Sequence, residues 1–165
     1  MSIYQNSFFK FEIKFSEGWR VRSWANWKKP PEKTSNHQLS DDDLPSLENP
    51  SKQLFHAYER KIDSPFILSK QVEMYAIWKE NDMDISNEID SKDNETVRLM
   101  TTEKVMNQNW QSIIRTFDVK RYNLHQQIYV CKVLPNIWLY ASAAGDTKDN
   151  FKSANKQFIA ITKLQ

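Results

Sequence analysis

The sequence predicts an α+β fold in which an antiparallel β-sheet is flanked by helices. Apolar and polar residues alternate at a spacing of two on both sides of a turn at Gly18, which is typical of paired strands. From Phe151 to Thr162 the apolar spacing changes to three and four residues, which is typical of an amphipathic helix. A chain of 165 residues is expected to form a single domain, residues 1–165. It has six Trp, six Tyr and nine Phe but only two glycines, so we expect a core of large rings.

The first predicted element is a β-hairpin. In its first strand the apolar side chains share one face and the charged side chains share the other, which indicates one buried and one solvated face. The buried face carries Phe9, Phe11, Ile13 and Phe15. Residues 19–23 continue the alternation with Arg20 and Arg22 on the solvated face, which predicts the return strand.

Residues 28–53 are predicted to form a long loop. They contain four prolines, the acidic run 41–43 and few large apolar groups. Loops of more than about 15 residues in compact domains are usually functional or mobile. This loop is therefore either a segment that binds a partner or an insertion that the fold tolerates without a function.

The middle of the chain predicts more strands, one helix and an acidic loop. Strands are expected where apolar and β-branched residues are enriched: 54–58, 66–78, 110–117, 123–133 and 137–143. Residues 80–95 are predicted to be an acidic loop. A helix is expected over 94–106, with Asp93 or Asn94 as its N-cap, and the helix after Gly145 has Thr147 as a candidate cap.

The charge and the termini limit the classes of partner. The net charge of +2 gives no field strong enough to favour nucleic acid, and two glycines exclude a glycine-rich phosphate loop. The single cysteine, Cys131, is interpreted as a buried structural thiol. The first residues lack a basic region followed by an apolar stretch, so we expect a cytoplasmic protein without membrane insertion.

No linear motif indicates catalysis or metal binding. The three histidines, His37, His56 and His125, lack the i, i+4 spacing that zinc ligands favour, and His56 is expected to be a neutral, partly buried imidazole. No Gly-x-Ser-x-Gly sequence is present. We therefore predict no enzyme activity, no cofactor and no metal. An enzyme whose residues converge from distant strands, such as His125 and Asp118, is the alternative.

The candidate binding residues are Arg20, Arg22, Trp24 and Trp27. They combine cations with large rings over a short stretch of chain. Trp and Arg are the residues that most often dominate protein interfaces. We therefore predict that these four residues contact another protein.

The order of elements resembles that of the PsbP and DcrB superfamily. The resemblance rests on the opening sequence 11–21, on 54–57, on the expected middle helix before Trp110, and on the closing strand and helix within 137–161. It implies an α/β/α sandwich without a family-wide active site, whose members act as chaperones, adaptors or assembly factors. Cytosolic relatives include the Eag-type chaperones of type VI secretion. The loop at 28–53 is longer than this pattern implies.

The resulting prediction is a non-catalytic protein-binding domain, a chaperone or adaptor that uses its sheet face or the loop at 28–53. Three alternatives stay open at this point. One is an immunity protein or antitoxin whose acidic segment 82–95 mimics nucleic acid. The others are a hydrolase or nuclease without a linear signature, and a structural domain of an envelope assembly.

Overall fold

The computed structural model describes residues 2–23, 35–37, 44–62, 64–85, 95–119 and 122–164. These residues form two β-sheets and one α-helix. In chain order the elements are β1 (Ser2–Asn6), β2 (Phe11–Phe15), β3 (Arg20–Ser23), β4 (Ser35–His37), β5 (Ser51–Lys61), β6 (Ser64–Trp78), β7 (Glu95–Val105), β8 (Gln108–Val119), β9 (Tyr122–Leu134), β10 (Ile137–Gly145), α1 (Lys148–Ile159) and β11 (Thr162–Lys163).

The larger sheet has seven strands in the order β3-β5-β6-β10-β9-β8-β7, and its pairings are antiparallel. The smaller sheet has the order β11-β2-β1-β4, in which only the pairing of β1 with β4 is parallel. The β7–β8 hairpin turns at Met106 and Asn107, which both have positive φ, as a type I′ turn requires. Pro135 and Asn136 form the turn between β9 and β10, where Asn136 has a φ of 65°.

The smaller sheet and α1 cover one face of the larger sheet, here called the inner face. Rings from the smaller sheet pack on Phe55 of β5, with centroid distances of 4.8 Å to Tyr4 and 5.8 Å to Phe15. From α1, Phe158 packs on Tyr129 at 4.6 Å and on Trp110 at 5.8 Å. All of these rings are fully buried. The expected core of large rings is therefore confirmed.

The opposite face of the larger sheet, the outer face, carries a second apolar cluster at the β8, β9 and β10 end. Met83 and Ile85, which follow β6, lie over this cluster. Its other buried members are Ile113, Ile128, Val130 and Trp138. The remainder of the outer face, toward β3, is polar and aromatic. β6 lies between β5 and β10, so its predicted position as a central strand is confirmed, but its outer side chains Gln71, Glu73 and Tyr75 are only half-buried.

The predicted fold class was wrong. Instead of an α+β sheet flanked by helices, the described residues form a β-rich sandwich of two sheets with one helix, α1. The helix expected over 94–106 is strand β7, which pairs with β8 along its length. β-Branched residues such as Thr101 and Thr102 favour strands, and the turn at Met106 and Asn107 fixes the hairpin. None of the described helices has the length and apolar character needed to cross a bilayer.

The predicted pairing of the first hairpin was also wrong, although both of its strands exist. β2 pairs with β1 in the smaller sheet, whereas β3 pairs with β5 in the larger one. The chain crosses between the sheets at residues 16–19, where Gly18 has a φ of 98°. The rings of Phe15 and Trp19 lie 5.6 Å apart, so both strands turn their apolar faces toward the same core. Alternation alone does not distinguish this crossing from a hairpin.

The other predicted elements agree with the structure where it describes them. The five later strands are confirmed as parts of β5, β6, β8, β9 and β10. The final helix is confirmed as α1, whose N-cap Thr147 accepts a hydrogen bond from the Asn150 N–H. Within the predicted loop at 28–53, residues 35–37 form β4 and 51–53 belong to β5; 28–34 and 38–43 lie outside the described residues. Within 80–95, residues 86–94 also lie outside them.

Gly145 is predicted to be the less replaceable of the two glycines. An added Cβ would lie 2.2 Å from the backbone nitrogen of Phe151 in α1, so the helix would have to shift. We expect Gly145→Ala to lower the free energy of unfolding by about 3 kcal/mol. Gly18→Ala is the control, because its Cβ would meet the flexible Glu59 side chain at 3.3 Å, and we expect a loss of about 1–2 kcal/mol from the positive φ. Urea unfolding measures both, and equal losses would contradict this packing.

Candidate functional site

The two predicted arginines lie on the outer face at one edge of the larger sheet. Arg20 and Arg22 alternate with the buried residues Val21 and Ser23 along β3, and both arginines are exposed. In the described part of the chain, β3 is an edge strand of that sheet and pairs with β5. The other two predicted binding residues, Trp24 and Trp27, lie outside the described residues. The structure therefore brings together half of the predicted site.

The register with β5 places Arg20 opposite Tyr58 and Arg22 opposite His56. The guanidinium carbon of Arg22 lies 5.8 Å from the centre of the Tyr58 ring, and that of Arg60 lies 5.7 Å from it. These distances allow cation–π attraction to one ring from two cations. Tyr58 is only 5% exposed as a result of this surrounding. We call Arg20, Arg22, His56, Tyr58 and Arg60 the Arg–Tyr patch.

His56 connects the Arg–Tyr patch to the next strand. Its Nε2 lies 2.9 Å from Oε1 of Gln71 on β6, and its ring centroid lies 5.1 Å from that of Tyr58. Because a carbonyl oxygen only accepts, this arrangement puts the imidazole proton on Nε2. The expectation of a partly buried histidine is confirmed, and its hydrogen-bond partner is the Gln71 side chain. Two side chains thus hold the imidazole in a fixed orientation.

The guanidinium groups of this patch have no carboxylate partner among the described residues. Four ion pairs in that part of the chain involve lysines instead: Lys14–Glu12, Lys61–Asp146, Lys70–Glu59 and Lys132–Asp82. Arg20, Arg22 and Arg60 are all exposed. Their N–H groups can therefore donate to a carboxylate from outside the chain without breaking an ion pair within this part of it.

A hydrogen-bond network crosses the centre of the outer face next to the Arg–Tyr patch. The Tyr75 hydroxyl donates to Glu73 Oε2 at 2.8 Å and accepts from Gln53 Nε2 at 3.0 Å. Two strands away, Gln126 Nε2 donates to Ser142 Oγ at 2.8 Å. Glu73, Tyr75, Gln126 and Ser142 line a shallow depression of about 320 Å³. Most of its polar groups already have hydrogen-bond partners within the protein. This indicates a preformed binding surface and not a site for covalent chemistry.

The tyrosines of this network are held in the neutral form. Burial raises the pKa of Tyr75, and the hydrogen bond and negative charge of Glu73 raise that pKa further. Burial also raises the pKa of Tyr140, whose ring lies 6.1 Å from that of Tyr75. A phenol with a raised pKa is a poor nucleophile and a poor general acid near neutral pH. These tyrosines therefore serve as hydrogen-bond donors and ring surfaces.

The residues considered for catalysis do not form a described catalytic arrangement. His125 Nδ1 lies 3.2 Å from Thr116 Oγ1, and the Asp118 side chain lies outside the described residues. Cys131 is buried, as predicted, and burial raises the pKa of its thiol. In the described ranges, no three His, Cys, Asp or Glu side chains are placed to hold a metal ion.

Sequence reasoning missed three members of the Arg–Tyr patch: His56, Tyr58 and Arg60. It assigned His56 to a structural role and did not consider the other two. Their spacing of two along one strand was an available signal, because residues at i, i+2 and i+4 share one face. Their proximity to Arg22 was not available, because it depends on which strand pairs with β3.

The fold and this surface define a two-sheet β-sandwich with an aromatic core and a cationic outer edge. No protein-family profile matches the chain, and no curated protein matches its sequence. Among solved structures, the fold is similar to that of LpqN, a protein involved in cell envelope biogenesis of Mycobacterium tuberculosis. The alignment has a TM-score of 0.55 and 9% identity, over 94% of this chain and 83% of that chain. At this identity the likeness shows the fold alone, and the resemblance to the PsbP and DcrB superfamily stays a prediction.

The raised tyrosine pKa predicts a loss of stability at alkaline pH. Above the ordinary tyrosine value of about 10, the unfolded chain releases phenolic protons that the folded chain still holds, so the free energy of unfolding falls as pH rises. Tyr75→Phe removes one of these groups. We expect its free energy of unfolding to fall less steeply than that of the wild type between about pH 9 and 11.

Urea unfolding at a series of pH values measures this difference. Near pH 7 both proteins carry a neutral ring at position 75, so the comparison there reports only the loss of hydrogen bonds to Glu73 and Gln53. Parallel curves from neutral to alkaline pH would show that Tyr75 titrates normally in the folded protein.

Proposed function

We propose that this protein is a non-catalytic binding domain that engages an acidic segment of another polypeptide at the Arg–Tyr patch. One observation carries the proposal: Arg22 and Arg60 flank the same buried ring at 5.8 and 5.7 Å, and no described carboxylate pairs with either. Exposed arginines packed against tyrosine are pre-oriented, so less side-chain entropy is lost on binding. Arg and Tyr are also enriched among the residues that dominate interfaces.

The spacing of the arginines supports an extended partner segment. Arg20 and Arg22 lie two positions apart on one strand, with Val21 between them, which places their side chains about 7 Å apart on the same face. An extended segment presents alternate side chains to one face at the same repeat. Asp or Glu at every second position of the partner would therefore meet both guanidinium groups, and Arg60 would meet a further carboxylate across the sheet.

The central network supports the same assignment. It adjoins the Arg–Tyr patch through His56 and Gln71, and it offers amides, hydroxyls and the rings of Tyr75 and Tyr140. Such groups bind backbone amides and polar side chains without any change of covalent bonds. A chaperone or adaptor role in the cytoplasm, with Trp24, Trp27 and the loop at 28–53 as further contacts, remains part of this proposal.

The alternative of an immunity protein or antitoxin, which would bind its target through the acidic segment 82–95, has less support. In the described part of the acidic segment, Asp82 pairs with Lys132 at 2.8 Å, and Met83 packs into the outer cluster. These side chains interact with their own sheet, whereas the arginines of the patch have no such carboxylate partner among the described residues. We therefore assign partner binding to the cationic edge.

A displayed peptide library tests the proposal. We expect the wild-type protein to enrich peptides with Asp or Glu at alternate positions. Against a selected peptide, Arg22→Ala and Arg60→Ala are each expected to lower the affinity about tenfold, because each removes a charge-assisted hydrogen bond of about 1.5–3 kcal/mol. Isothermal titration calorimetry measures the affinities.

Two controls separate geometry from charge. Lys152→Ala removes an exposed cation from α1, on the other side of the larger sheet, and we expect no change in affinity. Arg22→Lys keeps the charge but loses the planar fork, so we expect an intermediate loss. Enrichment of apolar or basic peptides, or equal losses in Lys152→Ala and Arg22→Ala, would contradict the proposal.

A further inference from the structure

We propose a second binding site, separate from the Arg–Tyr patch, that takes a small anionic amphiphile such as a medium-chain carboxylate. The site is an apolar cleft of about 250 Å³ at the end of the sandwich where the two sheets meet. Its apolar walls come from the β1–β2 turn, the β7–β8 turn and strands β9 and β10: Phe8, Phe9, Met106, Val133, Leu134 and Leu139. This site and the proposed function rest on different residues, so either can fail alone.

The turn that forms one wall of the cleft is fixed from inside the core. The fully buried Asn6 accepts a hydrogen bond from the Phe9 N–H at 2.8 Å and donates one to the Tyr4 hydroxyl at 3.1 Å. The rings of Phe8 and Phe9 meet edge to face at 5.0 Å. A buried amide with both ends bonded holds this wall in place, so the cleft is formed before any ligand arrives.

Left-handed backbone is concentrated around the same cleft. The four non-glycine residues with positive φ in the described chain are Lys10, Met106, Asn107 and Asn136, in the three turns at this end. Lys10 and Met106 line the cleft itself, with φ of 59° and 54°. Side chains other than Gly, Asn and Asp are uncommon in this region, and such strain clusters at ligand sites. Here two of the four left-handed residues, a lysine and a methionine, line the same opening.

The charge at the opening selects the ligand. Lys10, at the end of the β1–β2 turn, and Lys163 of β11 line the cleft, and their backbones are adjacent: the Leu164 N–H donates to the Lys10 carbonyl at 2.8 Å. A wider depression beside the cleft shares Met106 and Lys163 and adds Lys104. Among the described residues, no Asp or Glu side chain lines either one, although the whole chain is almost neutral at +2. An apolar pocket with cations at its mouth fits a chain with an anionic head.

The size of the cleft limits the length of the apolar tail. A cavity of about 150 Å³ holds benzene, with six carbons, so about 250 Å³ accommodates a chain of roughly eight to ten carbons. Leu134, which is 40% exposed at the rim, leaves one side open to the head group. Decanoate is therefore the probe of choice, used below its micelle concentration.

Calorimetric titration of the full chain with hexanoate, octanoate and decanoate tests the proposal. We expect the affinity to rise about fourfold with each added methylene, up to decanoate, as burial of a methylene predicts. Decyltrimethylammonium, with the same tail and the opposite charge, is expected to bind at least about tenfold more weakly than decanoate. Equal binding of the two ions, or no heat with decanoate at millimolar concentration, would overturn the proposal.

Three variants locate the site. Lys10→Asn tolerates the positive φ, and Lys163→Gln lies in the exposed strand β11, so both are expected to fold. We expect each to weaken decanoate binding about threefold or more while binding of decanol is unchanged. Lys152→Gln, on α1, is the matched control and is expected to bind decanoate like the wild type. Unchanged decanoate binding in both cleft variants would overturn the assignment.

The single cysteine gives an independent readout of location. Cys131 lies opposite Leu139 in the β9–β10 register, and its Sγ donates to Gln108 Oε1 at 3.7 Å; both partners line the cleft. We expect saturating decanoate to slow the reaction of this thiol with a disulfide reagent severalfold. Decanoate binding that does not slow this reaction would show that the ligand lies elsewhere. If a short peptide with a C-terminal leucine binds more tightly than decanoate, the cleft takes a peptide instead of an amphiphile, and the proposal is overturned.

Discussion

Burial of the inner face of the larger sheet beneath large rings is the constraint on which the rest of the structure depends. Phe55 contacts Tyr4 and Phe15 of the smaller sheet, while Tyr129 and Trp110 contact Phe158 of α1. Each ring removes about 150–250 Å² from water, so a few such contacts hold two sheets and a helix together. Gly145 matters for the same reason, because the first turn of α1 lies so close to the end of β10 that a Cβ at this position would displace the helix.

Because the smaller sheet and α1 cover the inner face, the outer face and the ends of the sandwich remain accessible for binding. The apolar half of the outer face is covered by Met83 and Ile85, and the half nearer β3 carries arginines, tyrosines and amides. At one end, three tight turns frame the apolar cleft. Both candidate sites rely on positioned cations, and in neither is a group activated for covalent chemistry.

Much of the fold could be predicted from the sequence, because alternation and turn residues act locally. Strands β5, β6, β8, β9 and β10 and helix α1 follow directly from spacing and caps. Strand β7 was missed since apolar spacing outweighed its β-branched threonines, and the separation of β2 from β3 was missed since pairing is a non-local property. For the candidate site, Arg20 and Arg22 were found from composition. Tyr58 and Arg60 were not, because only the register joins them to β3.

The cationic edge of the outer face is the surface where we propose that this protein meets its partner. Amide chemical shifts, recorded while a peptide with alternating glutamates is added, report both the binding and its position. We expect the changed signals to cluster in 20–23 and 56–60 and to weaken with added salt. Changes confined to α1 and the smaller sheet, or none at saturating peptide, would contradict it.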